Sequence, residues 1–241
     1  MDSKLLGVIG GLGPMATACF LEQVTAMTDA EIDQQHIPML IYSCPAIPDR
    51  TDYILDPAKP SPLPGLIEVG NRLAEQGASL IAIPCFSAHY FHEDLSRALP
   101  VPILHAVRET ALHLKEQGVG AAGVLATTGS IRAGLFQQEL EGQGIRPLVP
   151  SEVRQQDVMH LIYRNIKAGL PPEEARFRAV SRSLRQEGAE ALILGCTELS
   201  LLSRYFPLGS GYLDAMEVLA RQSILGCGGR LKPRYRNLIT T

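Results

Sequence analysis

Two stretches of the chain, EQGASLIAIPC at residues 75–85 and QEGAEALILGC at residues 186–196, share one layout. Each reads as the end of a helix, a glycine stop, a short apolar strand and a cysteine. A second pair, GVIGGLGPMATACFLEQ from Gly7 and GVLATTGSIRAGLFQQE from Gly123, reads as a strand, a loop and the start of a helix. The paired segments lie 111 residues apart (85 to 196) and 116 residues apart (7 to 123), in the same order. This internal echo predicts two similar α/β lobes.

Apolar segments alternate with amphipathic stretches along the rest of the chain, as in βαβ units with a parallel sheet. Strands are predicted at residues 5–10, 39–43, 79–84, 101–104, 121–126 and 191–195. Helices are predicted at residues 14–33, 66–76, 88–99, 105–117, 131–141, 152–168 and 172–187. The predicted fold is α/β, with two pseudo-symmetric lobes that are each a mostly parallel sheet flanked by helices. The first lobe is predicted to contain residues 1–104 and 206–241, and the second residues 105–205. Open α/β sheets bind ligands beyond their strand carboxyl ends, so the active site is expected in the cleft between the lobes.

The composition is that of an ordinary globular protein. Of the 241 residues, 46% are hydrophobic and 20% are charged, which disfavours both disorder and a membrane span. The formal net charge of -3 provides no broad electropositive face for a phosphate backbone, so no nucleic acid is expected as a partner. The beginning, MDSKLLGVIGG, lacks the pattern of a signal peptide, and a cytoplasmic location is expected.

The five cysteines are an odd number, and with no secretory signal they do not predict a disulfide framework. Cys85 and Cys196 each follow a buried strand and precede a predicted helix start, where free N–H groups and the helix dipole stabilise a thiolate. A lone free cysteine is most often a small apolar filler. The equivalent positions of these two in the two lobes favour a chemical role instead.

Two thiols on opposite sides of a cleft can invert a carbon centre. Removal of the Cα proton of an amino acid needs a base on one face, and inversion needs an acid on the other. A thiol has a reference pKa of about 8.5, and tuning toward neutrality lets one thiol wait as thiolate while the other stays protonated. A metal site is not predicted, because neither cysteine belongs to a C-x-x-C pair. A nucleophile pair of Cys85 with His89 or His105 remains open, although it leaves Cys196 unexplained.

The GGLGP turn resembles the beginning of a dinucleotide-binding loop. Ala16 replaces the third glycine of that fingerprint, Pro14 removes an N–H donor, and no acidic residue clearly ends a second strand. We therefore predict no nucleotide cofactor. The turn is expected to form the floor of the cleft, with its N–H groups and Thr17 near the substrate.

Four motifs together resemble the aspartate/glutamate racemase family, most closely its aspartate racemase branch. They are GGLGPMAT (10–17), PDRT (48–51), PCFSAH (84–89) and GCTEL (195–199), and the resemblance extends from about Gly7 to about Leu225. It implies two pseudo-symmetric α/β lobes, no cofactor, a cysteine pair at the cleft and a homodimer. It also implies a PLP-independent isomerase that racemises aspartate or glutamate.

Carried over by position, Cys85 and Cys196 match the catalytic thiols of the family, and Arg50 and Lys167 match cations that face the substrate. A guanidinium fork suits one of the two carboxylates of an acidic amino acid. Arg50 could equally be a solvated loop charge, and Lys167 a common cation at a helix end. The complete set of predicted substrate-binding residues is Met15, Arg50, Thr51, Phe86, Ser87, Lys167 and Thr197, with no metal ligand.

Phe86 departs from the family pattern, in which asparagine follows the first cysteine. Phe86 removes an amide that would bind a substrate carboxylate, although Ser87 keeps the hydroxyl of the family's next residue. Either the ring turns away and the backbone N–H still binds, or the pocket accepts another substrate. The alternatives to an acidic amino acid are another amino acid, a hydantoin, a dicarboxylic acid, or a binding protein without turnover. His89 could orient Ser87 or be structural, and Glu198 could bind the substrate ammonium or cap a helix.

Overall fold

Two parallel β-sheets form the frame of the computed structural model, which describes residues 4–241. The first sheet contains β1 (Leu6–Gly10), β2 (Met39–Ser43) and β3 (Leu80–Ala82) in the order β2-β1-β3. The second contains β4 (Ala121–Leu125), β5 (Arg146–Leu148), β6 (Ala191–Leu194) and β7 (Tyr212–Asp214) in the order β5-β4-β6-β7. The order β2-β1-β3 therefore recurs as β5-β4-β6. This repetition confirms the two α/β lobes predicted from the internal echo.

Helices cover both faces of each sheet. They are α1 (Pro14–Met27), α2 (Arg50–Leu55), α3 (Leu63–Glu75), α4 (His92–Ala98), α5 (Ala106–Glu116), α6 (Thr128–Arg132), α7 (Leu135–Gly142), α8 (Glu152–Met159), α9 (Glu174–Gln186), α10 (Thr197–Ser200) and α11 (Ala215–Gly226). Short 3-10 helices lie at Asp33–Gln35, Phe86–Phe91, Leu201–Arg204 and Pro233–Tyr235, and α8 continues as a π-helix over His160–Ile166.

The central strands are apolar along their whole length because both faces of each sheet are covered. In β1, Leu6 and Val8 face the core shared by the two lobes, whereas Ile9 faces the outer side with α3 and α4. In the second lobe, Val124 belongs to the shared core and Leu125 packs toward α8 and α9. The two sheets therefore share an inner core and expose their strand ends to a common cleft.

The segment 101–104 was predicted as a strand, but it makes only a bridge between Ile103 and Ile81. Pro102 has no N–H and cannot continue a ladder, although its carbonyl accepts from the Ile81 N–H at 2.9 Å. The predicted helix at 14–33 already ends at Met27. The helix predicted at 131–141 is divided between α6 and α7 by Gly134, which has a φ of 68°.

The carboxyl-terminal segment, residues 206–241, does not lie wholly in the first lobe as predicted. β7 pairs in parallel with β6, with Leu213 opposite Ile193, and so extends the second sheet. The following α11 then packs against both α1 and α5 in the shared core. This segment therefore joins the lobes instead of returning to one of them.

The turn after β1 depends on glycine. Gly11 has a φ of 86°, and a Cβ there would lie 2.4 Å from the backbone nitrogen of Cys44. The side chain of Thr17 accepts a hydrogen bond from the Gly11 N–H at 2.8 Å and donates to the Gly13 carbonyl at 3.0 Å. Thr17 therefore holds the turn from behind and does not face the cleft as expected. Within residues 4–241, no helix is both long and apolar enough to cross a membrane.

Candidate active site

A narrow cavity lies between the carboxyl ends of the two sheets, and both predicted thiols line it. The first lobe contributes Cys85 with Arg50, and the second contributes Cys196 with Lys167. The full lining is Leu12, Asp49, Arg50, Cys85, Phe86, Ser87, Thr127, Ser130, Tyr163, Lys167, Gly195, Cys196, Thr197 and Glu198. We call this space the inner cavity.

Cys85 immediately precedes the 3-10 helix Phe86–Phe91, just beyond β3. Its Sγ atom lies 3.5 Å from the Oγ atom of Ser87, and only 5% of the residue is exposed. The backbone turns here because the Cys85 N–H is bonded to the Ile83 carbonyl at 2.7 Å. The thiol is therefore fixed at the strand end, with a hydroxyl beside it.

Cys196 precedes α10 in the same way, just beyond β6. Its thiol donates a hydrogen bond to the Glu198 Oε2 atom at 2.9 Å, and the Thr197 hydroxyl donates to the same oxygen at 3.3 Å. Burial and the negative charge of Glu198 raise the pKa of Cys196 well above its usual value. A helix does begin after Cys196, as predicted, but α10 has only four residues, and its dipole does not lower the pKa of Cys196 toward neutrality. Cys196 is therefore held as a protonated thiol.

Arg50 is the cation nearest to the first thiol. Its guanidinium donates to the carbonyls of Ile47 (3.3 Å), Pro48 (3.0 Å) and Leu12 (2.8 Å) and is almost fully buried. Burial lowers the pKa of Arg50, but charge interactions with Cys85 and Asp49 outweigh burial and raise it. Carbonyl oxygens thus accept from both terminal nitrogens, whereas the buried Nε atom of Arg50 has no hydrogen-bond partner among residues 4–241. The guanidinium charge lies beside the Cys85 thiol.

Lys167 follows the π-helix that extends α8, and it faces Asp49 across the cleft. Its Nζ atom lies 3.3 Å from the Asp49 Oδ2 atom and 4.3 Å from the centre of the Tyr163 ring. The Tyr163 hydroxyl donates to Asp49 at 3.2 Å. Burial opposes the charge on Lys167, but Glu198, Tyr163 and Asp49 outweigh it and raise the pKa of Lys167. Lys167 is therefore a permanent cation that already has a carboxylate partner.

Asp49 is also the N-cap residue of α2. Its side chain caps α2 by accepting from the N–H groups of Thr51 (2.7 Å) and Asp52 (3.2 Å). Burial favours protonation of Asp49, but Lys167 and Arg50 outweigh burial and lower the pKa of this carboxyl group. Asp49 is thus a carboxylate that joins the helix carrying Arg50 to the helix carrying Lys167.

A larger and more open space of about 360 Å³ adjoins the inner cavity. It shares Leu12, Asp49, Arg50, Lys167 and Glu198 with the inner cavity. The rest of its wall is the glycine-rich turn together with an apolar set: Pro14, Met15, Ala16, Pro45, Ile47, Ile166 and Leu201. We call this space the vestibule.

The predicted substrate-binding residues fall into three groups. Arg50, Phe86, Ser87, Lys167 and Thr197 line the inner cavity. Met15 lines only the vestibule, where it is 61% exposed. Thr51 lines neither space, because its side chain is buried and donates to the Thr127 hydroxyl at 3.1 Å. Thr51 therefore links the lobes behind the cavity wall, outside the two spaces in which substrate is expected.

The ring of Phe86 packs inside the protein core. Its centroid lies 5.9 Å from that of Phe136 and 6.3 Å from that of His89. The ring is 2% exposed and belongs to the core shared by the lobes. This packing agrees with the first alternative for Phe86, in which the ring turns away from the substrate.

Sequence reasoning missed four polar residues of the inner cavity. Asp49, Tyr163, Thr127 and Ser130 were given no role from the sequence. Two signals were available. Tyr163 precedes Lys167 by four residues and so shares its helix face. Thr127 and Ser130 lie in the TTGS segment after β4, at the start of α6, which is the counterpart of the GGLGP turn after β1.

His89 and the other histidines near Cys85 lie on the far side of Phe86. The rings of His89, His92 and His105 have centroids 4.2 to 6.0 Å apart. Neither ring nitrogen of His89 has a hydrogen-bond partner among residues 4–241, and burial lowers the pKa of His89 well below its usual value. No hydrogen bond joins His89 to Cys85 or Ser87 in the described chain. In that part of the chain, no three His, Cys, Asp or Glu side chains are grouped to hold a metal ion.

Comparison with known proteins adds independent evidence. A family model described as Asp/Glu/Hydantoin racemase matches residues 9–223. The broad specificity amino-acid racemase RacX of Bacillus subtilis is 29% identical over 227 residues, which cover 91% of this chain and 96% of RacX. The aspartate racemase of Picrophilus torridus superposes with a TM-score of 0.84 at 28% identity, covering 98% of this chain and 99% of that structure. A glutamate racemase of Pseudomonas aeruginosa is 27% identical over 98% of this chain and 89% of its own length.

Proposed function

Because this chain belongs to the Asp/Glu/Hydantoin racemase family, we propose that it racemises an amino acid at Cα through Cys85 and Cys196, without a cofactor. Membership confirms the family predicted from the four motifs. Racemases are isomerases, so the enzyme class is confirmed as well. The single observation that supports the mechanism is the presence of two thiols, one from each lobe, in one cavity.

The environments of the two thiols suggest a direction for the first proton transfer. In this scheme Cys85, which lies beside the Arg50 guanidinium, acts as the base and takes the Cα proton of the substrate. Cys196 is protonated and donates its proton to the opposite face of the carbanion. The negative charge then lies on Cys196, and the proton that left the substrate lies on Cys85. The reverse reaction exchanges the two roles.

Glu198 and Lys167 support the second half of this cycle. The Glu198 carboxylate accepts a hydrogen bond from the Cys196 thiol at 2.9 Å, so when Cys196 starts as base Glu198 takes its proton, and Cys85 takes a proton from solvent to serve as the acid. Lys167 places a fixed positive charge near the charge that develops on the substrate carboxylate as the carbanion forms. Both residues assist the thiols from the second lobe.

Hydrogen exchange in heavy water tests the proposal directly. Each enantiomer of an amino acid is incubated with the protein, and we expect deuterium at Cα together with formation of the other enantiomer. Cys85→Ser and Cys196→Ser each abolish racemisation in this scheme, whereas Cys44→Ser, outside both cavities, does not. Thermal stabilisation by amino acids with no exchange at all would indicate a binding protein instead.

The acidic substrate predicted from the sequence stays a prediction, and so do the homodimer and the cytoplasmic location. Aspartate and glutamate belong in the first substrate panel because relatives are named for them. A hydantoin belongs there because the family description includes it. Sedimentation of the purified protein tests the dimer: a mass of one chain at assay concentration would exclude it.

A further inference from the structure

The vestibule and the inner cavity differ in the room that they offer to a substrate. The vestibule has a volume of about 360 Å³, whereas the inner cavity between the thiols has about 10 Å³. A volume of that size holds about one water molecule, and an amino acid displaces several. A substrate therefore reaches Cys85 and Cys196 only after part of the wall between the two spaces has moved.

The wall between the two spaces is built from the residues that line both. They are Leu12, Asp49, Arg50, Lys167 and Glu198. An ion pair within this set joins the two lobes, because the Lys167 Nζ atom lies 3.3 Å from the Asp49 Oδ2 atom. Both side chains of the pair are partly exposed, so a charged group that enters the vestibule can reach them.

The two members of this pair differ in how firmly they are held. The Asp49 carboxylate accepts from the N–H groups of Thr51 and Asp52 at the start of α2. The Tyr163 hydroxyl donates to the same carboxylate at 3.2 Å. Lys167 has a long flexible stem, and it lies directly after the π-helix and before an exposed segment. Asp49 is therefore the fixed side of the contact, and the Lys167 ammonium is the side that can move.

From this arrangement we infer that Asp49 and Lys167 form a gate between the vestibule and the thiols, which the carboxylate of an entering amino acid opens by replacing Asp49 as the partner of Lys167. The exchange keeps the ammonium paired, so it leaves no uncompensated cation in the wall. The buried Nε–H of Arg50, which has no partner among residues 4–241, stays available to a carboxylate that has passed the gate. The inference rests on the proposed racemase function, and it makes Asp49 a positioning residue that acts on the substrate through Lys167.

Alkylation of Cys85 by iodoacetamide, in the absence of substrate, measures how often the gate is open. Asp49→Asn removes the carboxylate charge and keeps a good helix cap, and Lys167→Met keeps most of the stem and removes the ammonium. We expect each variant to raise the alkylation rate of Cys85, followed by mass spectrometry, by about tenfold or more. The rates are compared on their plateau at high pH, where a change in the pKa of the thiol no longer alters them. An unchanged plateau in either variant overturns the gate.

A double variant and a control variant separate the ion pair from its surroundings. If Asp49 and Lys167 control access only through each other, Asp49→Asn combined with Lys167→Met is alkylated no faster than the quicker single variant. Independent effects would multiply in the double variant, and that result overturns the gate. Asp52→Asn removes an exposed carboxylate from the same helix, and we expect it to leave the rate unchanged. A rise equal to that of Asp49→Asn would assign the effect to the charge of α2 and would also overturn the gate.

Steady-state kinetics tests the exchange of partners at Lys167. In Asp49→Asn the substrate carboxylate no longer competes with Asp49 for the ammonium, so we expect KM to fall by about threefold or more and kcat to change by less. A purely structural role for Asp49 would lower kcat without lowering KM. That result contradicts the exchange.

The outcomes for the inference and for the proposed function can be told apart. If the wild-type protein racemises an amino acid but the alkylation rates of the variants are unchanged, the two-thiol function stands and the gate is wrong. If the variants are alkylated faster but no amino acid exchanges its α-hydrogen in heavy water, access to Cys85 is gated, and the racemase function is wrong together with the exchange of substrate for Asp49.

Discussion

The two lobes present Cys85 and Cys196 at equivalent places, yet they surround the two thiols with opposite charges. Cys85 follows β3 and has the Arg50 guanidinium as its charged neighbour. Cys196 follows β6 and donates its proton to the Glu198 carboxylate. A cation favours a thiolate, and a carboxylate favours a thiol.

This difference shows that the repeated fold sets the positions of the thiols, while single side chains set their resting states. The strand order β2-β1-β3 recurs as β5-β4-β6. The charged residues beside the thiols do not recur, because Arg50 comes from α2 and Glu198 from α10. Under the proposed mechanism, one enantiomer points its Cα–H bond at a thiol beside a cation, and the other points it at a thiol that donates to a carboxylate.

Loss of either thiol is expected to have the largest effect. In Cys85→Ser and in Cys196→Ser, racemisation falls by about a thousandfold or more, because a serine hydroxyl is too weak an acid and base to replace the thiol. Chiral chromatography of the products measures this loss. If one variant keeps racemisation near the wild-type rate, the pair does not act as two opposed groups.

The environment of Cys196 can be changed alone. In Glu198→Gln, the amide keeps a hydrogen-bond acceptor but removes the negative charge, so the pKa of Cys196 falls and the thiol reacts faster with iodoacetamide at neutral pH. Racemisation that begins with Cys196 as base slows by about a hundredfold, because its proton acceptor is gone. Mass spectrometry follows the alkylation. Slower alkylation of Cys196 in this variant would contradict the assigned role.

The environment of Cys85 is expected to respond in the opposite direction. In Arg50→Gln, a thiolate at Cys85 loses its neighbouring cation, and alkylation of Cys85 at pH 7 slows by about tenfold. Arg50→Lys restores part of the rate, because it keeps the charge while losing the fork that bonds the carbonyls of Ile47, Pro48 and Leu12. Circular dichroism checks that both variants are folded. An unchanged alkylation rate in folded Arg50→Gln would show that the Arg50 charge does not affect the reactivity of Cys85.

The elements that define the two lobes could be predicted because their signals are local. The strands before Cys85 and Cys196 are continuous apolar runs that end at a cysteine, and the echo between them is visible in one sequence. β5 (RPL) and β7 (YLD) contain polar residues or proline and lie outside any continuous apolar run, whereas the equally short β3 lies within the apolar run 80–83. The prediction therefore found the strands before the thiols and missed the ones that complete the second sheet.

The partners of the predicted charges could not be found in the same way. Lys167 and Asp49 are 118 residues apart, and Tyr163 and Asp49 are 114 apart. Such a contact depends on how the lobes meet, and the PDRT motif alone gave Asp49 no role. The resemblance to the family suggested Arg50 and Lys167 as cations that face the substrate, and it gave no carboxylate partner for either. The structure pairs Lys167 with Asp49, a contact that the sequence alone does not indicate.

Behind the Cys196 side, Asp214 and Glu217 form a half-buried acidic pair. Asp214 accepts from the Ser200 hydroxyl of α10 at 2.7 Å. Burial and the Asp214 charge raise the pKa of Glu217 to about 8, above its unfolded value of about 4.5. The folded state then binds more protons than the unfolded state between pH 4.5 and 8, so stability falls as pH rises through this range. Glu217→Gln is expected to stabilise the protein by about 3 kcal/mol at pH 8 and by little at pH 5. Urea unfolding at pH 8 and pH 5 measures the change in the free energy of unfolding. An equal gain at both pH values would contradict a raised pKa for Glu217.

Behind the Cys85 side, the histidine cluster is expected to give the opposite pH dependence. Burial and His92 lower the pKa of His105 to about 4, whereas an unfolded histidine titrates near 6.5. The unfolded state then binds more protons between pH 6.5 and 4, so stability is complete above pH 6.5 and is lost as pH falls toward 4. His105→Asn keeps a side chain that can cap α5 and removes the titration, so about 2 kcal/mol of the acid-induced loss disappears. Urea unfolding at pH 7 and pH 4.5 gives this difference, with His36→Asn, outside the cluster, as control. If His105→Asn and His36→Asn lose the same free energy of unfolding between pH 7 and pH 4.5, the histidine cluster does not cause the loss of stability in acid.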